Sequence, residues 1–477
     1  MKINHMISII KNTPLQKGLV LAVMAFTLQS CFVAKEYARP EITETENLYR
    51  TDNLPSDSIS MADVSWKTLF TDTYLQQYID EGLQNNMDIR IAIQQIVAAE
   101  AYAKQGKAGY LPSVNIGANV THQELSKNSQ FGAFLTNTST DQFDVTANLS
   151  WEADIWGKIR SNKRATQAAF LQSVAGHQAV KTQLISSIAA TYYSILALDA
   201  QLEVTKKSIE TRKTGVETIK ALKDAGLTNQ VAVDQNIAQY NNAKSLEVDL
   251  EVALFKAENT LSILLGKTPQ QMKRSSLDTQ TINSDMKLGV SSQLLRNRPD
   301  VMAAEYGLIS AFELTNVAKS NLYPSFKLTA SGGLQSLELD QLFNANSLFA
   351  NIVGGLTQPL FNQRKLKTQK EVAIAQQEQA LLRFKKTLLV AGNEVSNALY
   401  AYSSENRKFQ FLKNEVEALR KAAENSEELL KNGYATYLDL LTARQSALSV
   451  EIKVIGSKLQ QLQSVVNLYE ALGGGLK

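Results

Sequence analysis

Four segments of the chain alternate between apolar and polar residues with the period of a β-strand. The clearest is 142–152, in which Phe143, Val145, Ala147, Leu149 and Trp151 are separated by polar residues. The same alternation predicts strands at about 112–122, 324–334 and 347–357. One apolar and one polar face over about ten residues is typical of a transmembrane β-strand with lipid outside and water inside. A half-buried strand of a soluble sheet fits any single segment equally well.

Two long stretches show the period of a coiled-coil seam, in steps of three and four residues. The first runs through Ile188, Thr191, Ile195, Leu198, Leu202, Thr205, Ile209, Arg212, Val216 and Ile219. The second runs through Phe384, Leu388, Ala391, Val395, Ala398 and Tyr402, and then from Phe409 to Ala423. No proline interrupts either stretch. The pattern predicts helices at about 158–224 and 363–431, each on the order of 100 Å long at 1.5 Å per residue.

Both predicted long helices end at a glycine, and a new helical pattern follows at once. The two glycines are Gly226 and Gly433. Glycine readily takes the left-handed conformation with which many helices end. We therefore expect two helical hairpins with tips at 224–230 and 431–437.

One sequence pattern occurs twice along the chain. Asp88 and Pro112 recur as Asp300 and Pro324, an offset of 212 residues, whereas the tip glycines are offset by 207. Each repeat is predicted to contain, in this order, a helix, two strands, a long helix, a tip and a second helix. We place repeat 1 at 67–266, a linker at 267–290 and repeat 2 at 291–477.

Four strands are too few to close a membrane barrel, which needs about eight or more. Open strand edges cannot face lipid, so the strands have to be pooled between chains. Two chains would supply eight strands and three would supply twelve, and residue patterns alone leave both open.

Aromatic residues flank the predicted strands. Phe131, Phe134, Phe343 and Phe349 lie near the loops that join strands, and Trp151 and Trp156 lie near the opposite strand end. This placement favours aromatic girdles at the membrane interfaces, with ordinary core packing as the alternative for each residue.

The N-terminus has the layout of a secretory signal at 1–30, with a basic start followed by an apolar run from Gly18 to Ser30. The only cysteine, Cys31, follows directly, in the position at which bacterial lipoproteins are lipidated and cleaved. We therefore expect lipidation of Cys31 and a lipidated equatorial segment at 31–66. The alternative is a free thiol near an ordinary cleavage site.

Composition argues against several classes of function. The chain has 49 Lys and Arg against 46 Asp and Glu, a formal net charge of +3, which does not favour binding to nucleic acid. One cysteine and three histidines leave little for metal sites or general-base catalysis. We expect no enzyme activity, no cofactor and no metal site.

Several strings then resemble the outer membrane efflux protein (TolC) family, in particular its lipoprotein branch that serves resistance-nodulation-division pumps. They are Cys31 followed by EYARPE at 36–41, LLRNRPDVMAAE at 294–305, LYPSFKLTASGG at 322–333, Gly-Leu-Thr at 226–228 and YLDLLTARQ at 437–445. Together they cover nearly the whole chain.

The resemblance implies an α+β membrane protein that assembles as a homotrimer. Each chain would give four strands to a twelve-stranded outer-membrane β-barrel, continued by a long periplasmic α-helical barrel with a mixed equatorial region. It also implies three kinds of partner: a periplasmic adaptor (membrane fusion) protein, an inner-membrane resistance-nodulation-division transporter and outer-membrane lipid.

The resemblance also assigns roles to the hairpin tips. Gly226, Leu227 and Thr228, with Gly433, Tyr434 and Ala435, would face the periplasm and dock the adaptor. Asp439, six residues after Gly433, matches an aspartate that rings the constriction in relatives. The gate candidates are therefore Asp439, Thr442 and Tyr437.

This chain departs from the family pattern at two positions near the gate. Thr442 stands where a second acid is expected, and Ala232 stands at the matching position of repeat 1. These departures put a salt-bridge lock in doubt and leave packing of Tyr434, Tyr437 and Leu441 as an alternative closure.

The sequence thus predicts a passive outer-membrane exit duct of a tripartite efflux pump that conducts small molecules. Two alternatives stay open: a type I secretion duct of the same fold, and a non-channel, lipid-anchored periplasmic coiled-coil adaptor.

Overall fold

The computed structural model describes residues 33–40, 65–281 and 298–474. Cys31, the signal segment and part of the linker lie outside these ranges. The helices are α1 Trp66–Leu69, α2 Thr73–Asn85, α3 Met87–Ala108, α4 Lys158–Asp224, α5 Gln230–Leu264, α6 Pro299–Ser320, α7 Lys365–Lys431 and α8 Tyr437–Ala471. The strands are β1 Ser113–Glu124, β2 Ser139–Glu152, β3 Ser325–Ser336 and β4 Leu348–Thr357.

The described residues form two compact units, and each unit takes segments from both repeats. Unit 1 comprises 33–40, 97–172 and 305–383, and it holds the four strands. Unit 2 comprises 65–96, 173–281, 298–304 and 384–474, and it holds both hairpin tips.

Unit 1 is built on one antiparallel sheet with the strand order β1-β2-β3-β4. The register places Val145 of β2 opposite Ala118 of β1 and Leu334 of β3. Leu334 in turn lies opposite Leu348 of β4. Apolar residues are therefore paired with apolar residues across all four strands, as cross-strand packing favours.

Several element boundaries differ from the expected ones by a few residues, and two of them have a clear local reason. β2 begins at Ser139 rather than 142, because its polar first residues still pair with β1, as far as Glu124. α7 begins at Lys365 rather than 363, because Gln363 and Arg364 have φ values of 55° and 64°. That left-handed backbone cannot belong to a right-handed helix.

Unit 2 packs the seams of the long helices. Ile188 and Ile195 of α4 and Ala391 and Val395 of α7 are fully buried, as are the aromatic rings of Tyr192 and Tyr469. Burial of this apolar surface is the main favourable contribution to folding.

Within unit 2, charged and polar side chains hold the described residues of the linker in place. Arg274 pairs with Asp199 and Glu258, and the amide of Gln280 donates to Asp72, with an N to O distance of 2.7 Å. Arg298, just before α6, donates to the carbonyl oxygen of Ala471 at the end of α8, at 2.6 Å. The start of repeat 2 is thereby joined to its last helix.

Candidate functional site: a two-faced sheet and two hairpin tips

The sheet has one apolar face, and every strand contributes to it. The ladder places these residues side by side: Val114, Ile116, Ala118 and Val120 of β1; Phe143, Val145, Ala147, Leu149 and Trp151 of β2; Phe326, Leu328, Ala330 and Leu334 of β3; Leu348, Ala350, Ile352 and Leu356 of β4. Ile116 and Ile352 are largely exposed in the single chain. A continuous exposed apolar face of this kind has to meet lipid or another protein surface.

The opposite face of the sheet is mostly polar. Asn115 lies opposite Asn148, and Asn148 lies opposite Ser331. Ser331 lies opposite Asn351, so an amide or hydroxyl occupies this row in all four strands. Such a face suits water.

Both edges of the sheet are open in the described part of the chain, since β1 pairs only with β2 and β4 only with β3. An unpaired edge carries a row of backbone N–H and C=O groups that need partners. In lipid these groups cannot be hydrated, so another strand has to satisfy them.

Each hairpin tip is closed by a Schellman motif, in which two backbone N–H groups return to the helix. At the first tip, Gly226 has φ of 76° and Leu227 N–H donates to Leu222 O at 2.9 Å. At the second tip, Gly433 also has φ of 76° and Tyr434 N–H donates to Leu429 O at 2.9 Å. The two glycines therefore end their helices as the sequence predicted.

The side chains after the tip glycines point away from the fold. Leu227 is 75% exposed and Tyr434 is 83% exposed. Beyond them, Asn229 caps α5 and Thr436 caps α8. The tips thus present apolar and aromatic groups on two short, well-capped turns.

Asp439 lies in the first turn of α8, where it completes a capping box with Thr436. Its carboxylate accepts from the Thr436 backbone N–H at 2.9 Å and from the Thr436 hydroxyl at 2.6 Å. These hydrogen bonds stabilise the charged form and hold the pKa of the Asp439 carboxyl below its usual value. Asp439 therefore stabilises the start of α8, and its side chain is exposed.

Tyr437 and Thr442 have different surroundings. The Tyr437 hydroxyl donates to Asn236 Oδ1 of α5, so this side chain links the two hairpins of one chain. The Thr442 hydroxyl donates to Leu438 O of its own helix at 2.8 Å, without reaching another element.

A buried guanidinium lies near the tips, and its role is one that sequence reasoning missed. Arg212 of α4 is only 7% exposed. It donates to the backbone oxygen and the side-chain oxygen of Gln239 in α5, at 3.0 and 2.8 Å, and to the side-chain oxygen of Gln445 in α8. Burial lowers the pKa of the Arg212 guanidinium. The cation joins three helices from both repeats through neutral acceptors.

Neither a helical membrane span nor a cluster of metal-ligating side chains is found among the described residues. No described helix has an apolar stretch sufficient to cross a bilayer. No three His, Cys, Asp or Glu side chains in these ranges are placed to hold a metal ion.

A sheet that is apolar on one face, polar on the other and open at both edges, with a long helical hairpin after each pair of strands, defines a class of membrane channel subunit. Residues 78–267 and 290–474 match the family described as "Outer membrane efflux protein". The chain belongs to this family.

Relatives and solved structures agree with that assignment over nearly the whole chain. The "Cation efflux system protein CusC" of Escherichia coli O157:H7 is 26% identical over 463 residues, covering 95% of this chain and 97% of its own. The "Probable outer membrane lipoprotein SilC" of Salmonella typhimurium is 25% identical, covering 94% and 97%. The open state of the MtrE outer membrane channel of Neisseria gonorrhoeae superposes with a TM-score of 0.82 at 26% identity, covering 93% and 98%.

The chain is an outer-membrane channel component of an efflux system, and it extends into the periplasm. The expectation from the sequence motifs is confirmed in family, in function and in the fold class of the single chain. The three relatives are named as a cation efflux protein, an outer membrane lipoprotein and an outer membrane channel, and none of these names is that of an enzyme.

Proposed function

We propose that three copies of this chain form one passive exit duct with a twelve-stranded barrel. The observation that supports this is the sheet itself, because its apolar face is continuous over four strands and, among the described residues, both its edges lack a partner. Closing the barrel in lipid requires more strands than one chain has. Three rather than two copies is the number that the family resemblance implies.

The duct would work with a periplasmic adaptor and an inner-membrane transporter of the resistance-nodulation-division class, which supplies the energy. The contact with the adaptor is assigned to Gly226, Leu227 and Thr228 of the first tip and to Gly433, Tyr434 and Ala435 of the second. Two exposed side chains, on Leu227 and Tyr434, support this assignment.

We also propose lipidation of Cys31, and a gate that includes Asp439, Tyr437 and Thr442. Tyr437 supports a gate because its hydroxyl joins α8 to α5. Opening the tips would require this hydrogen bond to break, as in other two-state interface changes.

The cargo is a small molecule or ion. One relative is named as a cation efflux protein, and an outer membrane protein of Pseudomonas putida, 27% identical, is named for antibiotic efflux. A type I secretion duct of the same fold is the alternative.

The decisive experiment measures the mass of the detergent-extracted protein and its conductance in a planar bilayer. We expect a complex of three chains whose gel migration changes on heating, and discrete ion-conducting events. A monomer without conductance would instead support a lipid-anchored periplasmic adaptor.

A further inference from the structure

The foot of the strand pair in repeat 1 is held by two side-chain hydrogen bonds. Ser113 and Ser150 lie opposite each other in the ladder, and the Ser113 hydroxyl donates to Ser150 O at 3.3 Å. One residue further, the Trp151 indole N–H donates to Tyr110 O at 3.0 Å. These contacts fix β1 against β2 where the strands end.

Repeat 2 has the same two hydrogen bonds at equivalent positions. The Ser325 hydroxyl donates to Thr357 O at 3.5 Å, and the Gln358 amide donates to Leu322 O at 3.0 Å. The first strands of the two repeats are thus equivalent at an offset of 212 residues, and the second strands at an offset of 207 residues. A glutamine in repeat 2 replaces the tryptophan of repeat 1 and keeps its N–H donor.

A further hydrogen bond joins the two repeats where β2 meets β3. The Trp156 indole N–H donates to Pro324 O at 2.7 Å, and its ring packs 5.0 Å from that of Tyr323. Trp156 is 9% exposed, and nearby the Ala153 N–H donates to Phe326 O at 3.1 Å. These contacts fix the register between a second strand and the first strand of the next repeat.

The same two offsets identify the counterparts of these junction residues in the other repeat. The counterparts lie at the two open edges of the sheet. Trp156 and Gly157 correspond to Gln363 and Arg364, and Pro324 corresponds to Pro112. The backbone agrees with this correspondence, since Gly157 and Arg364 have φ values of 74° and 64°.

Within the described residues, these counterparts lack the partners that Trp156, Tyr323 and Ala153 have at the junction between repeats. The Gln363 side chain is exposed and makes no hydrogen bond within the described residues. Leu111, which corresponds to Tyr323, is 69% exposed, and Leu360, which corresponds to Ala153, is 83% exposed. All of them lie where β4 and β1 would meet the strands of other copies.

We propose that β4 of one chain pairs with β1 of a second copy in the register that β2 and β3 use, and that the Gln363 amide donates to the second copy's Pro112 carbonyl. This register sets Leu356 opposite Ala118 and Thr357 opposite Gly117. It rests on the proposed barrel of several chains and specifies its interface.

The face pattern and the Gln363 contact together select one register. A slip by one residue would place the apolar positions of β4 against the polar positions of β1. A slip by two keeps the faces matched, but it displaces Gln363 from Pro112 by about 7 Å at 3.4 Å per residue. The Gln363 donor therefore selects among the registers that the faces allow.

Disulfide crosslinking in isolated outer membranes tests the register. Pairs of cysteines at Leu356 with Ala118 and at Thr357 with Gly117 are opposed in the proposed register. Consecutive pairs alternate in their hydrogen bonding, so one of the two has the shorter Cα distance. The controls pair Leu356 with Ile116 or Val120, and Thr357 with Asn115 or Asn119, which match a slip of two residues. Each single-cysteine variant controls for bonds to Cys31.

We expect crosslinked chains from an opposed pair in at least tenfold excess over the slipped pairs. A slipped pair that crosslinks best, or an intact oligomer that none of the pairs crosslinks, overturns the register and leaves the barrel of several chains standing. A monomeric protein without crosslinks overturns the barrel itself.

A matched pair of alanine variants tests the role of Gln363. Gln363→Ala removes the proposed contact between chains, whereas Gln358→Ala removes the equivalent hydrogen bond within one chain. We expect Gln363→Ala to lower the temperature at which the oligomer dissociates on a gel more than Gln358→Ala does, and Gln363→Trp to restore it. An unchanged dissociation temperature for Gln363→Ala overturns the contact.

Discussion

Val145 and Thr146 are neighbours in β2, and the strand turns their side chains to opposite faces of the sheet. Val145→Arg or Leu149→Arg would place a charge in lipid, at a cost of about 2 to 4 kcal/mol near the bilayer midplane. We expect these two variants to fail in barrel assembly, measured as heat-modifiable oligomer in outer-membrane fractions.

Thr146→Arg and Asn148→Arg are the matched controls, because the same arginine would then face water. We expect both to assemble. Equal tolerance of all four variants would be inconsistent with a lipid-facing apolar side.

Asp439 serves a helix cap and, in our proposal, the gate, and two substitutions separate the roles. We expect Asp439→Asn to reduce cation selectivity in single-channel recordings, whereas Thr436→Ala, which removes a capping partner and keeps the charge, preserves it. If Thr436→Ala lost cation selectivity although Asp439 kept its charge, the effect would be due to the helix cap.

The pH dependence of that difference follows from the lowered pKa of Asp439. A carboxyl with a depressed pKa keeps its charge as the pH falls and loses it only below the usual aspartate value of about 3.9. We expect wild type and Asp439→Asn to differ at pH 7 and still at about pH 4.5.

At the level of elements, the Arg212 side chain of α4 holds α5 and α8 through its hydrogen bonds to Gln239 and Gln445. Repeat 2 has Leu419 at the equivalent position, so leucine fits a seam of this kind. We expect Arg212→Leu to leave Gln239 and Gln445 without their donor and to destabilise the region locally by about 1 to 3 kcal/mol. Hydrogen exchange of α5 and α8 near these glutamines measures the change.

Lys213→Leu is the control for Arg212→Leu, since it removes an exposed positive charge at the next position. We expect its exchange pattern to match the wild type. If the two variants exchange alike, the hydrogen bonds of Arg212 do not hold the three helices together.

The hairpin tips can be tested without changing their turn glycines. We expect Leu227→Glu and Ala435→Glu to reduce efflux in cells, because a charge would enter the proposed contact with the adaptor's own hairpin tips. The oligomer should survive on gels, since Gly226 and Gly433 still end their helices. Unchanged efflux in both variants would argue against docking at the tips.

The sequence predicted the elements well where a local pattern encodes them. The seam spacing identified the C-terminal half of α4 as helix, and the glycines predicted both tips. It could not supply the partners of Arg212, because Gln239 and Gln445 come from other helices, the latter 233 residues away. A single arginine among apolar seam positions was the available signal.

Trp156 shows a choice that the sequence left open. Its place after a strand favoured an interfacial girdle, with core packing as the alternative, and the structure buries its ring against Tyr323. The acceptor of its indole N–H, the Pro324 carbonyl, is 168 residues away in the sequence. The pattern near Trp156 therefore does not encode this contact.

For the whole molecule, the motifs indicated the family, and the count of four strands predicted that several chains assemble. The lipid anchor remains a prediction, since Cys31 lies outside the described residues. We expect Cys31→Ser to abolish labelling by a radioactive fatty acid while much of the barrel still inserts, because the strands supply their own apolar face. Persistent labelling of the variant would contradict this.

The open edges of the sheet have a consequence for biogenesis. In the proposed barrel of several chains, a newly exported chain carries two unpaired strand edges until it meets other copies, and such edges readily template aggregation. Completing the channel is therefore a reaction of more than first order in chain concentration. Halving the rate of synthesis should lower the yield of finished channels by more than half, with the surplus chains lost to proteolysis or aggregation.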